Sequence, residues 1–215
     1  MLDWAGVVLC GGKSARFGSD KAFARIGGIP LVARSISTFQ SLGSTVFLSV
    51  RADAPIYDPH VSHIVDDTPD QGPLSGIASV FRSTSHDRLF VLAVDLPCVS
   101  EEDISHLLAR DHVGLGLSQA KQTAKVSSPS PAVSTPHKTN LKAQLTLSRD
   151  RATGQRQPLC GVWHRSIFRH LEAYLAEGHR SVMRFVDLHP VNWIDLDPGH
   201  LKNVNKKDDL GQIGA

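Results

Sequence analysis

The sequence predicts an α/β fold, a largely parallel sheet flanked by helices, and three observations carry that expectation. The runs "GVVLC" (6–10), "VFLSV" (46–50) and "LFVLAV" (89–94) are apolar throughout instead of alternating, as in strands buried on both faces. The segments between them have helical spacing. Strands that alternate with helices build a mostly parallel sheet, whose ligands bind beyond the carboxyl ends of the strands.

The run 6–10 is the first strand and gives way to a glycine-punctuated loop. Pro30 can occupy a first helical turn, with Val32, Ile36 and Phe39 on one face, and Pro73 can do the same for Leu74, Ile77 and Phe81. The third strand leads directly to Asp95 and Pro97. From His112 to Arg149 there is no acidic residue and no Phe, Trp or Tyr, and 118–143 is rich in Ser, Thr, Pro and Lys. Such a composition cannot bury enough apolar surface to offset its ordering entropy, so 118–143 is expected to be a flexible insertion between two strands. A mobile basic lid over an anionic substrate is the functional alternative. Further on, "PLCGVW" (158–163) predicts a strand, Ile167, Leu171 and Tyr174 mark a helix that stops near Gly178, and the alternation of "VNWID" (191–195) suits a last strand.

A chain of 215 residues, 1–215, fits one domain that buries a single core without staples. Its 23 Lys and Arg against 21 Asp and Glu give a formal net charge of +2, too balanced for nucleic acid as the main partner. Cys10, Cys98 and Cys160 lie far apart without a CxxC pair, which suits reduced thiols better than a disulfide framework or a zinc site. His60 and His63 are three apart, but no carboxylate or third histidine groups with them in a metal-ligand pattern. The N-terminal "MLDWAGVVLCGG" carries Asp3, no basic region and only a short apolar run. It reads as neither signal peptide nor membrane span, and a soluble cytoplasmic protein with no membrane partner is expected.

The stretch "GVVLCGGKSARFGSDK" (6–21) contains Gly-Lys-Ser after a strand, which raises the question of a P-loop. A Walker A loop needs glycine six residues before the lysine, and counting back from Lys13 that position is Val7. The register fails. The other reading is a strand ending at Leu9, then a loop whose backbone N–H groups form an anion nest, with Lys13, Arg16 and Lys21 supplying charge. Charge in an enclosed loop counts for more: a pair at ~4 Å is worth about 1 kcal/mol in water and roughly 4 at an effective dielectric near 20.

"LCGGKSARFGSDK" resembles the L-x-G-G-x-S-x-R-M-G-x-D-K loop of molybdenum cofactor guanylyltransferases and their nucleotidyltransferase relatives. Phe17 replaces the usual Met and Cys10 the common Ala. The resemblance continues through "GPLSG" (72–76), "AVDLP" (93–97), "QPLCGVW" (157–163), "RSVMRFV" (180–186) and "NVNKKDDL" (203–210), covering nearly the whole chain outside 118–143. It implies a single Rossmann-like domain of the nucleotide-diphospho-sugar transferase type.

By that resemblance Lys21 contacts phosphates, Arg16 adds charge, and the backbone of Leu9, Cys10, Gly11 and Gly12 lies along the nucleotide. Asp95 is the Mg2+-binding aspartate, a role its place at the carboxyl end of an apolar strand also suits. Asp67 matches the guanine-side aspartate, since N1–H and the 2-amino group of guanine are adjacent donors that one carboxylate can accept. Asp66 competes for that role, and a turn-stabilising Asp is the plain alternative. Gly72, Pro73, Leu74 and Gly76 shape the nucleotide pocket and start a helix. Ser49 stands where relatives often have Asn, which puts one nucleotide contact in doubt. Asn203 and Asn205, on one side of an extended segment, are linked to molybdopterin binding, with backbone capping of the next helix as the alternative. Arg180 is a weaker candidate for an acceptor phosphate.

The function implied is transfer of GMP from GTP to molybdenum-molybdopterin with release of pyrophosphate, with transient contact with molybdoenzymes or cofactor chaperones. A cytidylyl transfer, or transfer to a sugar phosphate, would keep the chemistry and change the base or acceptor. A cofactor-binding chaperone that does not turn over is the rival from another class.

Overall fold

The computed structural model describes residues 3–11, 20–68, 71–111 and 143–213. The insertion expected at 118–143 lies outside the described residues except for Ala143.

Strand β1 (Trp4–Leu9) sits in the middle of a seven-stranded sheet, with β4 (Thr45–Val50) and β5 (Ser62–Val65) on one side. On the other side stand β6 (Arg88–Ala93), β8 (Arg156–His164), β7 (Leu145–Asp150) and β9 (Val191–Leu196). The first four of these, in the order β5-β4-β1-β6, are parallel; β8 runs against both β6 and β7, and β9 is parallel to β7. A small antiparallel pair, β2 (Arg25–Ile26) and β3 (Ile29–Pro30), stands apart.

The apolar runs are explained by helices on both faces. Val8, Leu48, Phe90 and Leu92 face a cluster with α1 (Leu31–Ser41) and α3 (Glu101–Arg110). Ala5, Val7, Leu89 and Val91 face α2 (Pro73–Ser83), α4 (Phe168–Ala176) and α5 (Val182–Asp187). Each fully buried Leu or Phe contributes roughly 1.5–3 kcal/mol, so a strand apolar on both faces ties the two layers together. Among the described residues no helix is long and apolar enough to cross a membrane.

Pro73 is the first residue of α2, as its spacing predicts, and Gly72 caps that helix at φ 78°, a conformation that favours glycine. Pro30 differs by one step. Its ψ of 145° makes it the N-cap of α1, because its backbone is already paired with Arg25 in the β2–β3 hairpin. The predicted strand 158–163 is longer than expected and antiparallel, and the helix after it does end before Gly178, at φ 82°.

The order of strands reverses at the centre. From β1 the chain steps outward through β4 and β5, then returns through α2 to place β6 on the far side of β1. A cleft therefore opens beyond the carboxyl ends of β1 and β6, where open α/β sheets bind ligands.

Candidate active site

The rim of that cleft is knitted by backbone bonds. Cys10 N–H donates to the Ser49 carbonyl at 2.9 Å, and Val94 N–H donates to the Leu9 carbonyl at 3.2 Å. The side chains of Leu9 and Leu74 are in the core under this rim. Ser49 is also buried and packs against α2: a Cβ on Gly76 would stand 2.2 Å from its Oγ, so glycine there lets the helix approach the strand. The Cys10 thiol is pushed well above the usual range, by burial first and by the Asp20 carboxylate second, and stays protonated. Beyond Gly11 the chain is described again from Asp20; Gly12 and Arg16 lie outside the described residues.

Asp20 caps a short 3₁₀ turn, Lys21–Phe23, by accepting from Ala22 N–H at 3.0 Å. The turn aims Lys21 at the end of β6: its Nζ lies 3.3 Å from Oδ2 of Asp95, with the two side chains 15% and 26% exposed. Val204 N–H donates to the Asp95 carbonyl at 2.9 Å, which draws the segment Asn203–Asn205 to the same place. Val204 is buried there, and Asn203 keeps a fully buried Oδ1 with no hydrogen-bond partner among the described residues. Such an orphaned acceptor is costly unless something donates to it.

Asn205 is exposed, and its N–H and that of Lys206 donate to Asp209 Oδ2 at 2.6 and 2.8 Å at the start of α6 (Lys207–Ile213). These bonds lower the Asp209 pKa, helped by the charges of Lys206 and Lys21. The backbone at this helix start is capped by the carboxylate of Asp209, not by the Asn205 side chain.

A second group forms where β5 meets α2. Asp66 Oδ1 accepts from Thr68 N–H at 3.0 Å and from the Ser75 hydroxyl, making it the turn former. Asp67 donates its N–H to Ser79 Oγ at 3.1 Å and pairs its carboxylate with Arg82 at 2.7 Å, while its side chain remains 60% exposed. Arg180 is exposed, on the chain that passes Gly72. The structure thus brings together Lys21 and Asp95 by direct contact and Asn203 through the Val204–Asp95 backbone bond, with Leu9, Cys10 and Ser49 along the rim. Asp67 and the Gly72–Leu74 turn belong to the neighbouring loop and helix start.

Sequence reasoning missed Asp20 and Asp209 as builders of this site. Asp20 carried a signal, an Asp directly before Lys21 that can cap a turn; Asp209 carried none stronger than its place four residues after Asn205. Among the described residues no three His, Cys, Asp or Glu side chains gather as a metal cage. A cation at Asp95 would therefore take one carboxylate there and its other oxygens from phosphate and water. Magnesium accepts that arrangement, so the partly exposed Asp95 carboxylate fits it.

Residues 6–191 match the family model described as the MobA-like NTP transferase domain. A probable molybdenum cofactor guanylyltransferase of Chloroflexus aggregans is 30% identical over 223 residues, covering 98% of this chain and 93% of that protein. One of Haloferax mediterranei is 33% identical over 133 residues, covering 59% of this chain and 63% of that protein. Among solved structures, molybdopterin-guanine dinucleotide biosynthesis protein A from Archaeoglobus fulgidus superposes with a TM-score of 0.69 at 16% identity, covering 98% and 96% of the two chains. At that identity the likeness concerns the fold.

Proposed function

The chain belongs to the MobA-like NTP transferase family and is a nucleotidyltransferase; from that premise we propose that it transfers GMP from GTP to the terminal phosphate of molybdenum-bound molybdopterin. The products are pyrophosphate and the guanine dinucleotide form of the cofactor. The observation that carries this reading is the Lys21–Asp95 pair at the carboxyl end of β6, with Asn203 drawn beside it through Val204.

In this reading an oxygen of the acceptor phosphate attacks the α-phosphorus of GTP, and the bond to the pyrophosphate oxygen breaks. The attacking oxygen is already anionic at neutral pH, so no general base is needed, and positioning with charge neutralisation carries the rate. Lys21 meets the charge that builds on the leaving pyrophosphate. Asp95 would hold magnesium, which supplies further charge neutralisation when bound. The backbone from Leu9 to Gly12 lies along the nucleotide, with the N–H of Cys10 already given to Ser49, and Arg16 adds charge. The unpartnered Oδ1 of Asn203 accepts from the acceptor, whose binding Asn205 extends.

Guanine selection falls to Asp67. Its exposed carboxylate has free acceptor capacity beside Arg82, whereas Asp66 is committed to its turn. The names of the Chloroflexus and Haloferax relatives support the same base.

The test is magnesium-dependent pyrophosphate release from GTP and from CTP in parallel, with molybdenum-loaded molybdopterin as acceptor. Release with GTP alone is expected. Release with CTP alone would move the protein to cytidylyl transfer, and release with neither would overturn the acceptor or the claim of turnover.

A further inference from the structure

The lysine that meets Asp95 sits on a turn of three residues, too short to hold its own orientation, and the structure contains a brace for it. Asp20 uses both carboxylate oxygens: Oδ1 accepts from Ala22 N–H inside the turn, and Oδ2 accepts from the hydroxyl of Tyr57 at 2.5 Å. Tyr57 lies 37 residues away, in the loop between β4 and β5. We propose that Tyr57 is a positioning residue for nucleotidyl transfer, fixing the Asp20–Lys21 turn so that the ammonium of Lys21 stays aimed at Asp95 and the phosphates.

Tyr57 is itself held by Phe23 and His63 as well as by Asp20. The ring of Phe23, from the same turn, packs on it at 5.2 Å between centroids. The His63 ring also stacks on it, at 6.0 Å with only 6° between planes. The Tyr57 N–H donates to His63 Nε2 at 3.0 Å, while His63 Nδ1 is 2.9 Å from the Val61 carbonyl. A carbonyl only accepts and a backbone N–H only donates, so His63 carries its proton on Nδ1 and is neutral. The phenol of Tyr57 is pushed well above its ordinary range, by burial first and then by its bond to Asp20, so it remains a donor. The brace therefore runs from β5 through His63 and Tyr57 to Asp20, the residue before Lys21. A carboxylate gripped at both oxygens has little rotational freedom, and a displacement of about 1 Å at a site of this kind can cost a hundredfold in rate.

This inference rests on the transfer reading above, and its test has an arm that does not. The arms compare wild type, Tyr57→Phe, Asp20→Ser, which keeps a cap but cannot reach Tyr57, and the double variant. Tyr57→Phe is expected to lower kcat for GMP transfer roughly tenfold or more at nearly unchanged melting temperature. Amide hydrogen exchange over residues 20–24 is expected to quicken in that variant. The double variant is expected to be no slower in turnover than the slower single one, because both remove the same contact. Unchanged exchange over 20–24, or additive losses in the double variant, would overturn the proposal. So would a loss of melting temperature with normal kcat in the folded fraction, the mark of a merely structural tyrosine. If wild type releases no pyrophosphate from any nucleotide, the transfer reading fails and the exchange arm alone decides whether Tyr57 holds the turn.

Discussion

Strand β6 has an ion cluster at each end, and the two are built on opposite plans. At its start Arg88 pairs with Asp111, whose side chain is fully buried and also accepts from Thr146 Oγ1 at 2.8 Å and from His164 Nε2 at 2.9 Å. Arg88 pairs with Asp3 as well. Past its other end Asp95 has one side-chain partner among the described residues, Lys21, at 3.3 Å, and both groups keep part of their surface open. A saturated buried carboxylate has nothing left to offer a ligand. An open one with a single long contact can exchange that contact for another, so the same residue types are closed off at one end and left able to take a ligand at the other.

The largest effect is expected from breaking the open end. Asp95→Asn or Lys21→Ala should reduce pyrophosphate release by two to three orders of magnitude, about 3–4 kcal/mol in the barrier, with a melting temperature close to wild type. Activity of the folded Asp95→Asn protein near the wild-type rate would remove that end from the chemistry. The opposite pattern is expected at the closed end. Asp111→Ala leaves Thr146, His164 and one arm of Arg88 without their buried acceptor and should destabilise the fold by about 3–5 kcal/mol, measured by denaturant unfolding, while kcat per folded molecule stays unchanged. A lost kcat with intact stability would erase the contrast.

Acid sharpens it further. Burial alone would raise the Asp111 pKa, but the bonds from His164, Thr146 and Arg88 more than reverse that, leaving it below the usual 3.8. A carboxyl with a depressed folded pKa stabilises the fold above its unfolded value, and that contribution is lost as pH falls through the folded one. Wild type should therefore lose stability as pH drops below about 4, and Asp111→Asn should lose less over the same interval. Parallel curves for the two proteins would show that the network does not drive acid unfolding.

The two halves of the sheet also differ in how much of them can be read from residues. The parallel strands β1, β4 and β6 are legible because both faces are covered by helices, so their buried positions are apolar with the single exception of Ser49. Strand β7 is not: Thr146 and Ser148 are as buried as Leu145 and Leu147. Polarity there reports a bond to Asp111 in the case of Thr146, and no local pattern distinguishes that from an exposed alternation. Helix α3 went unpredicted although Ser100 and Asp103 form a capping box. At the site, Lys21, Asp95 and Asn203 were legible through motifs in fixed order. Tyr57 was not, since its contact with Asp20 spans 37 residues and nothing in the loop sequence around it announces a partner.

Asp67 lies between the two plans, and the smallest effect is expected there. Its carboxylate already serves Arg82, like a closed pair, yet it is 60% exposed, like an open one. If the open character governs, the free acceptor positions take N1–H and the 2-amino group of guanine. An amide in its place offers one acceptor and one donor, so Asp67→Asn loses one bond and sets a donor against a donor. The expected result is a roughly ten- to hundredfold rise in KM for GTP, as for a lost hydrogen bond to a charged group, with kcat and melting temperature little changed. If the Arg82 pair governs instead, GTP affinity will hold while only the tie between β5 and α2 loosens, and base selection must then lie with other residues of the nucleotide rim.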